Sequence, residues 1–201
     1  MTLIVTISLA LLAALQDSAS AHSALTIQDE PLRIAPTTPF QSPQDRLTER
    51  LDALSEADET QAVPLIDEIH ALWNNSGSDT ISLLMDRGRA AEQAGNEDIA
   101  ARMYNHVTAL DPEFAEGWLA AGRVAAGFED WAYALETLNT ALTIEPRRYD
   151  AYMALGRVLE RAEAWDSALE AYDQVLDIFP AHAPAMTAKE RLEDALAGQA
   201  L

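Results

Sequence analysis

Apolar residues recur at helical spacing through most of this chain. Leu135, Leu138, Leu142 and Ile144 form one stripe, and Leu169, Tyr172, Val175 and Leu176 form another. Such stripes predict amphipathic helices. From residue 81 onward the pattern also repeats. Pro112, Pro146 and Pro180 lie 34 residues apart, as do Gly88, Gly122 and Gly156, and Ala100, Ala134 and Ala168. Three series with one period define units 81–114, 115–148 and 149–182, each long enough for a helix–turn–helix. Neither helix of a unit can bury its face alone, so neighbouring units must stack. Gly95 is expected to end one helix, with Asn96 capping the next, and Asp130 takes the capping place in the second unit. The prolines are expected to open each following helix, where the missing N–H costs nothing. Trp131 and Trp165, at equivalent places early in the second helix, read as core aromatics.

The flanks carry the same helical period with a weaker signature. Gln44–Glu56 and Gln61–Trp73 predict a further hairpin within 44–80, and Ser42-Pro43 makes a helix start. No small residue sits where Gly88 would map, so the expectation is a degenerate or N-terminal capping pair. Residues 185–197 predict an amphipathic helix in a terminal cap, 183–201. Residues 22–43 hold Pro31, Pro36, Pro39 and Pro43 without a helical or strand period and read as an extended linker. Leu3 to Leu15 is mostly apolar but short of the roughly 20 residues that span a bilayer. Ala19-Ser20-Ala21 then offers a small-residue cleavage site, so 1–21 reads as a signal peptide cut after Ala21. The leading segment has no Lys or Arg, which leaves a retained anchor as the alternative. Cleavage would give a periplasmic or secreted protein with no stable membrane span.

The repeated units resemble tetratricopeptide repeats, whose pattern is W-x₂-L-G-x₂-Y, then A-x₃-F, then P. The first unit supplies Leu84, Arg87, Gly88, Ala91, Ala100, Tyr104 and Pro112. The second supplies Trp118, Ala121, Gly122, Ala125, Ala134, Leu138 and Pro146. The third supplies Tyr152, Leu155, Gly156, Leu159, Ala168, Tyr172 and Pro180. Arg87 departs from the usual leucine. The resemblance covers about half of the chain and implies an all-α fold, a right-handed α-solenoid of stacked antiparallel helix pairs. The whole chain also resembles small exported tetratricopeptide proteins of proteobacteria, in which a W-x-x-S-G-S turn precedes the repeats. Trp73 to Ser78 match that turn.

Composition narrows the chemistry. The net charge is −20, with 33 acidic and 13 basic residues. So acidic a surface repels phosphate backbones and anionic lipid, which argues against nucleic acid as a partner. The absence of cysteine removes disulfides, thiolate metal sites and a cysteine nucleophile. Gly117, Gly122 and Gly127 invite a phosphate-loop reading of GWLAAGRV, but Arg123 and Val124 stand where Lys and Ser/Thr are needed. Asp67, Glu68 and His70 lack the second histidine or cysteine that would complete a metal set, and His106 and His182 stand alone. No catalytic constellation emerges. The expectation is a protein with no enzyme activity, cofactor or metal.

Arginine carries the sharper pattern. Arg89, Arg123, Arg157 and Arg191 keep the 34-residue spacing. By the resemblance they stand at ninth positions of first helices, which face the concave groove. Met85, Leu119 and Met153, at fifth positions, would lie beside them as an apolar strip, and Arg161 joins at a thirteenth position. The implied function is an adaptor that holds a protein or peptide segment in the groove, with arginine forks gripping carboxylates or carbonyls. Two alternatives stay open: a module that self-associates, and a scaffold that completes an enzyme or small-ligand site. The ladder could also pair internally with Glu92, Glu116, Asp150 or Glu160. The carboxylate clamp of chaperone-binding repeats wants Lys and Asn at groove positions, so a chaperone tail is not the expected ligand.

Overall fold

A computed structural model describes residues 41–199. The segments expected to be a signal peptide, 1–21, and a linker, 22–43, lie wholly or, for the linker, up to Phe40 outside the described residues. The described residues form nine α-helices and no strand: α1 (Pro43–Glu56), α2 (Glu59–Trp73), α3 (Asp79–Gln93), α4 (Glu97–Leu110), α5 (Ala115–Gly127), α6 (Trp131–Ile144), α7 (Tyr149–Arg161), α8 (Trp165–Ile178) and α9 (Ala183–Gln199). Helices α3 to α9 pack in sequence, each on the next, as an all-α solenoid. None of the described helices is long and apolar enough to cross a membrane.

Close approach at the glycine row sets the pairing. A Cβ on Gly156 would lie 2.6 Å from the Tyr172 ring, and one on Gly122 would lie 2.7 Å from Thr137 Oγ1 and 2.8 Å from Leu138. Gly88 faces Tyr104 in the same way. The partner row on the second helices, Tyr104, Leu138 and Tyr172, is fully buried, as are the rows Ala100, Ala134, Ala168 and Val107, Ala141, Val175. The glycines therefore accept a helix penalty of about 1 kcal/mol each so that a large side chain can lie flat on the facing backbone. Trp131 and Trp165 are only half-buried and pack at the core margin.

The turns differ from the sequence expectation in two respects. Pro112, Pro146 and Pro180 do not begin helices. Each follows the first residue of a turn closed by a hydrogen bond, Phe114 N–H to Asp111 O, Arg148 N–H to Glu145 O and His182 N–H to Phe179 O, and the next helix starts three residues beyond the proline. Proline's fixed φ suits that second turn position. Within each unit the helix ends in a Schellman turn. Asn96 N–H reaches Ala91 O at 2.8 Å, Asp130 N–H reaches Ala125 O at 3.0 Å and Ala164 N–H reaches Leu159 O at 2.9 Å. Asn96 makes no side-chain cap, whereas Asp130 caps Tyr133 N–H at 3.2 Å. The turn needs a left-handed residue, and Gly95 supplies it at φ 71°. Glu129 and Glu163 hold the equivalent places at φ 60° and 58°.

The first hairpin does not cap the array at its first repeat. Ser42 and Asp45 form the reciprocal cap of α1, and Leu47, Leu51 and Leu54 bury one face. That face joins Val175, Phe179 and Leu192, with α1 lying on α8 in the third repeat. Leu54 stands 34 residues before Gly88 and is fully buried in that face. Trp73, His70 and Asp52 complete the dock: Trp73 lies 5.4 Å from Tyr149, His70 Nε2 lies 3.0 Å from Tyr149 Oη, and Asp52 pairs with Arg147 at 2.7 Å.

A left-handed glutamate costs about 1–2 kcal/mol relative to glycine, offset in part by glycine's greater chain entropy. Glu129→Gly and Glu163→Gly are therefore expected to stabilise the fold by up to about 1 kcal/mol each, and Gly95→Ala to destabilise it by about 1 kcal/mol. Thermal unfolding followed by circular dichroism measures this; a lower melting temperature for both glycine variants refutes the strain.

Candidate functional site

Arg148 organises the site, and sequence reasoning missed it. Its side chain is 2% exposed. The guanidinium bonds Glu116 of α5 and reaches Asp150 of α7, Nε to Oδ1 at 3.0 Å and Nη2 to Oδ2 at 3.3 Å. Its Cζ lies 4.7 Å from the Trp73 ring centroid, a cation–π contact. One buried cation thus ties the second repeat, the third repeat and the first hairpin together. Burial pushes the Glu116 carboxyl above the usual carboxylate range, against the pull of Arg148. The available signal was positional. Arg148 stands 34 residues after Phe114, a buried aromatic.

This arrangement settles where two expected partners go. Glu116 and Asp150 serve Arg148 and are not paired with the ladder arginines. Glu92 and Glu160 are. Arg191 Nη2 grips both oxygens of Glu160 at 2.8 and 2.6 Å, and Arg123 Nη2 lies 3.9 Å from Glu92. Each of these glutamates also accepts a hydroxyl hydrogen bond from its own repeat, Glu92 from Tyr104 and Glu160 from Tyr172. Burial and that contact push both phenols well above the ordinary tyrosine range. Arg89 bonds Asp86 at 3.0 Å and Asn74 at 3.2 Å and does not line the groove described next. Arg157 and Arg161 are exposed and form no ion pair among the described residues.

A groove of about 1570 Å³ runs along α5, α7 and α9, with His70 of α2 at its edge. Its floor includes Gly122, Ala126, Met153, Ala154 and Ala188. Arg123, Arg157, Arg161 and Arg191 rise from it, four of the thirteen basic residues of the chain. Burial, with the Arg157 charge in addition, holds the His182 imidazole below its usual range. The expected apolar strip is largely absent. Met85 and Leu119 are 2% and 1% exposed and belong to the core, and Met153 reaches the groove with only 8% of its surface open. Fifth-position side chains are long enough to be drawn between stacked helices, so the floor is made by the small residues instead. Among the described residues no set of three or more acidic, histidine or cysteine side chains is placed to hold a metal ion.

Comparison with known proteins fits this geometry. A tetratricopeptide-repeat family model matches residues 85–146 and again 119–183. A TPR repeat-containing protein of Rhizobium etli is 36% identical over 78 residues, which span 38% of this chain and 38% of that relative. Among solved structures, the first TPR of Spaghetti (RPAP3) bound to an HSP90 peptide superposes with a TM-score of 0.58 at 21% identity, covering 60% of this chain and 95% of that one. The MamA protein superposes with a TM-score of 0.55 at 21% identity, over 77% of this chain and 84% of its own. The fold and groove define a helical-repeat protein. Its residues 85–183 are tetratricopeptide repeats.

Removing one member of a buried ion pair costs about 3–5 kcal/mol. Arg148→Met is expected to lose that much at pH 7, measured by urea unfolding. Glu116 keeps a raised pKa in the fold, so the folded state takes up its proton first. Part of the loss should therefore return as pH falls toward the ordinary carboxyl value of 4.5. Adding Glu116→Gln should abolish that recovery; a recovery that persists assigns it to another group.

Proposed function

We propose that the chain is a non-enzymatic adaptor that holds a segment of another polypeptide in the α5–α7–α9 groove, working in the cell envelope after export. The observation that carries this reading is Arg157 with Arg161, two exposed guanidiniums with no ion-pair partner among the described residues, in a groove lined in part by Ala126, Met153 and Ala154. The groove exceeds the roughly 300–1,000 Å³ of small-molecule pockets and suits a chain segment. Guanidinium forks would hold carboxylates or backbone carbonyls, while Met153 and the alanines leave room for side chains. The RPAP3 domain was solved with a peptide bound, which supports the same use of the same fold. The leading apolar run Leu3–Leu15 and the Ala19-Ser20-Ala21 site support export.

A photo-crosslinking side chain at Thr187, in the groove, should capture a polypeptide in the native host. The same group at Glu136, outside the groove lining, should not. Equal capture at both places, or none at Thr187, removes the groove from the function. The export half is checked separately by sequencing the N-terminus of protein isolated from its host: a chain beginning at His22 is expected, and an intact Met1 overturns cleavage.

A further inference from the structure

The ladder contains a repeated three-part unit. In the first repeat, Tyr104 and Arg123 meet on Glu92; in the third, Tyr172 and Arg191 meet on Glu160. In both, the arginine comes from the helix that follows the unit and the carboxylate stands at the twelfth position of its unit. The second repeat should place a glutamate and a tyrosine at residues 126 and 138 to meet Arg157. It has Ala126 and Leu138. Arg157 is therefore the ladder arginine whose carboxylate the sequence does not provide. Ala126, Leu138, Arg157 and Arg161 all line the one groove, with Arg123 a turn before Ala126.

We propose that an Asp or Glu side chain of a bound polypeptide takes the place of the missing glutamate, lying over Ala126 and gripped by the Arg157 guanidinium, with Arg161 beside it. This rests on the groove-binding reading and names the chemistry of its occupant. The argument is one of complementarity. The groove lining carries four arginines against three carboxylates, Glu129, Asp150 and Glu160; Asp150 and Glu160 are held by Arg148 and Arg191, and Arg123 is turned to Glu92. The Arg191–Glu160 pair shows the geometry that the third would adopt, two oxygens of one carboxylate on one guanidinium nitrogen. An alanine at residue 126 leaves room for a side chain to come from outside where a glutamate would block it.

The test uses peptides displayed on phage as N-terminal coat-protein fusions, so that no free peptide C-terminus is offered, and the full mature protein as bait. Selected peptides should be enriched in Asp or Glu. Arg157→Ala and Ala126→Glu should each weaken them about tenfold or more, since a charge-assisted hydrogen bond is lost or the position is filled from within. Arg102→Ala, exposed on α4 and outside the groove lining, should leave them unchanged. Peptides without acidic enrichment, or binding that survives Ala126→Glu, overturn the acidic subsite and leave the groove reading standing. Selection of no peptide by any form overturns both. The segment 22–43 carries two acids of its own, Asp29 and Glu30; if only an Asp29→Asn/Glu30→Gln variant accepts peptide, the acid at Arg157 is this chain's own and the proposal falls.

Discussion

The structure depends on how closely two antiparallel helices can approach. At Gly88, Gly122 and Gly156 the first helix offers bare backbone, and a tyrosine or leucine of the second helix lies flat against it. That contact fixes the separation and register within each pair. It also sets which residues of the first helix turn inward and which remain for the groove. The arginines at the next position stand out of the core because the glycine before them is in it. A site built on such neighbours inherits the rigidity of the packing beneath it.

The fold's irregular part lies outside that row. The first hairpin carries Leu54, not glycine, 34 residues before Gly88. Its leucine face finds α8, and its end brings Trp73 over Arg148. The buried arginine costs desolvation, which two carboxylates and an aromatic face offset.

The repeats were legible in the sequence because their signal is periodic: glycine, alanine and proline rows each report the same helix pair. The prolines were assigned to the wrong place by three residues, since helix start and turn both tolerate a missing N–H. The left-handed Glu129 and Glu163 were not legible, because only Gly95 announces that conformation by residue type. The ladder's spacing was plain in the sequence, but its partners were not. Which carboxylate an arginine meets depends on the offset between adjacent helices, and Glu116 and Asp150 were claimed by Arg148, a residue with no periodic counterpart of its own charge. The burial of Met85 and Leu119 followed from side-chain length, which a position rule ignores.

The docking of the first hairpin bears on how the molecule comes apart. An open stack loses its ends one unit at a time, because each unit touches only its neighbours. Here the segment that precedes the first repeat is fastened to the last one, with His70 and Tyr149 joined across 79 residues. Fraying at the amino end would have to break contacts at the carboxyl end. The fastening turns a linear array into a closed circuit, which favours all-or-none unfolding and requires a long loop to close before the final contacts form.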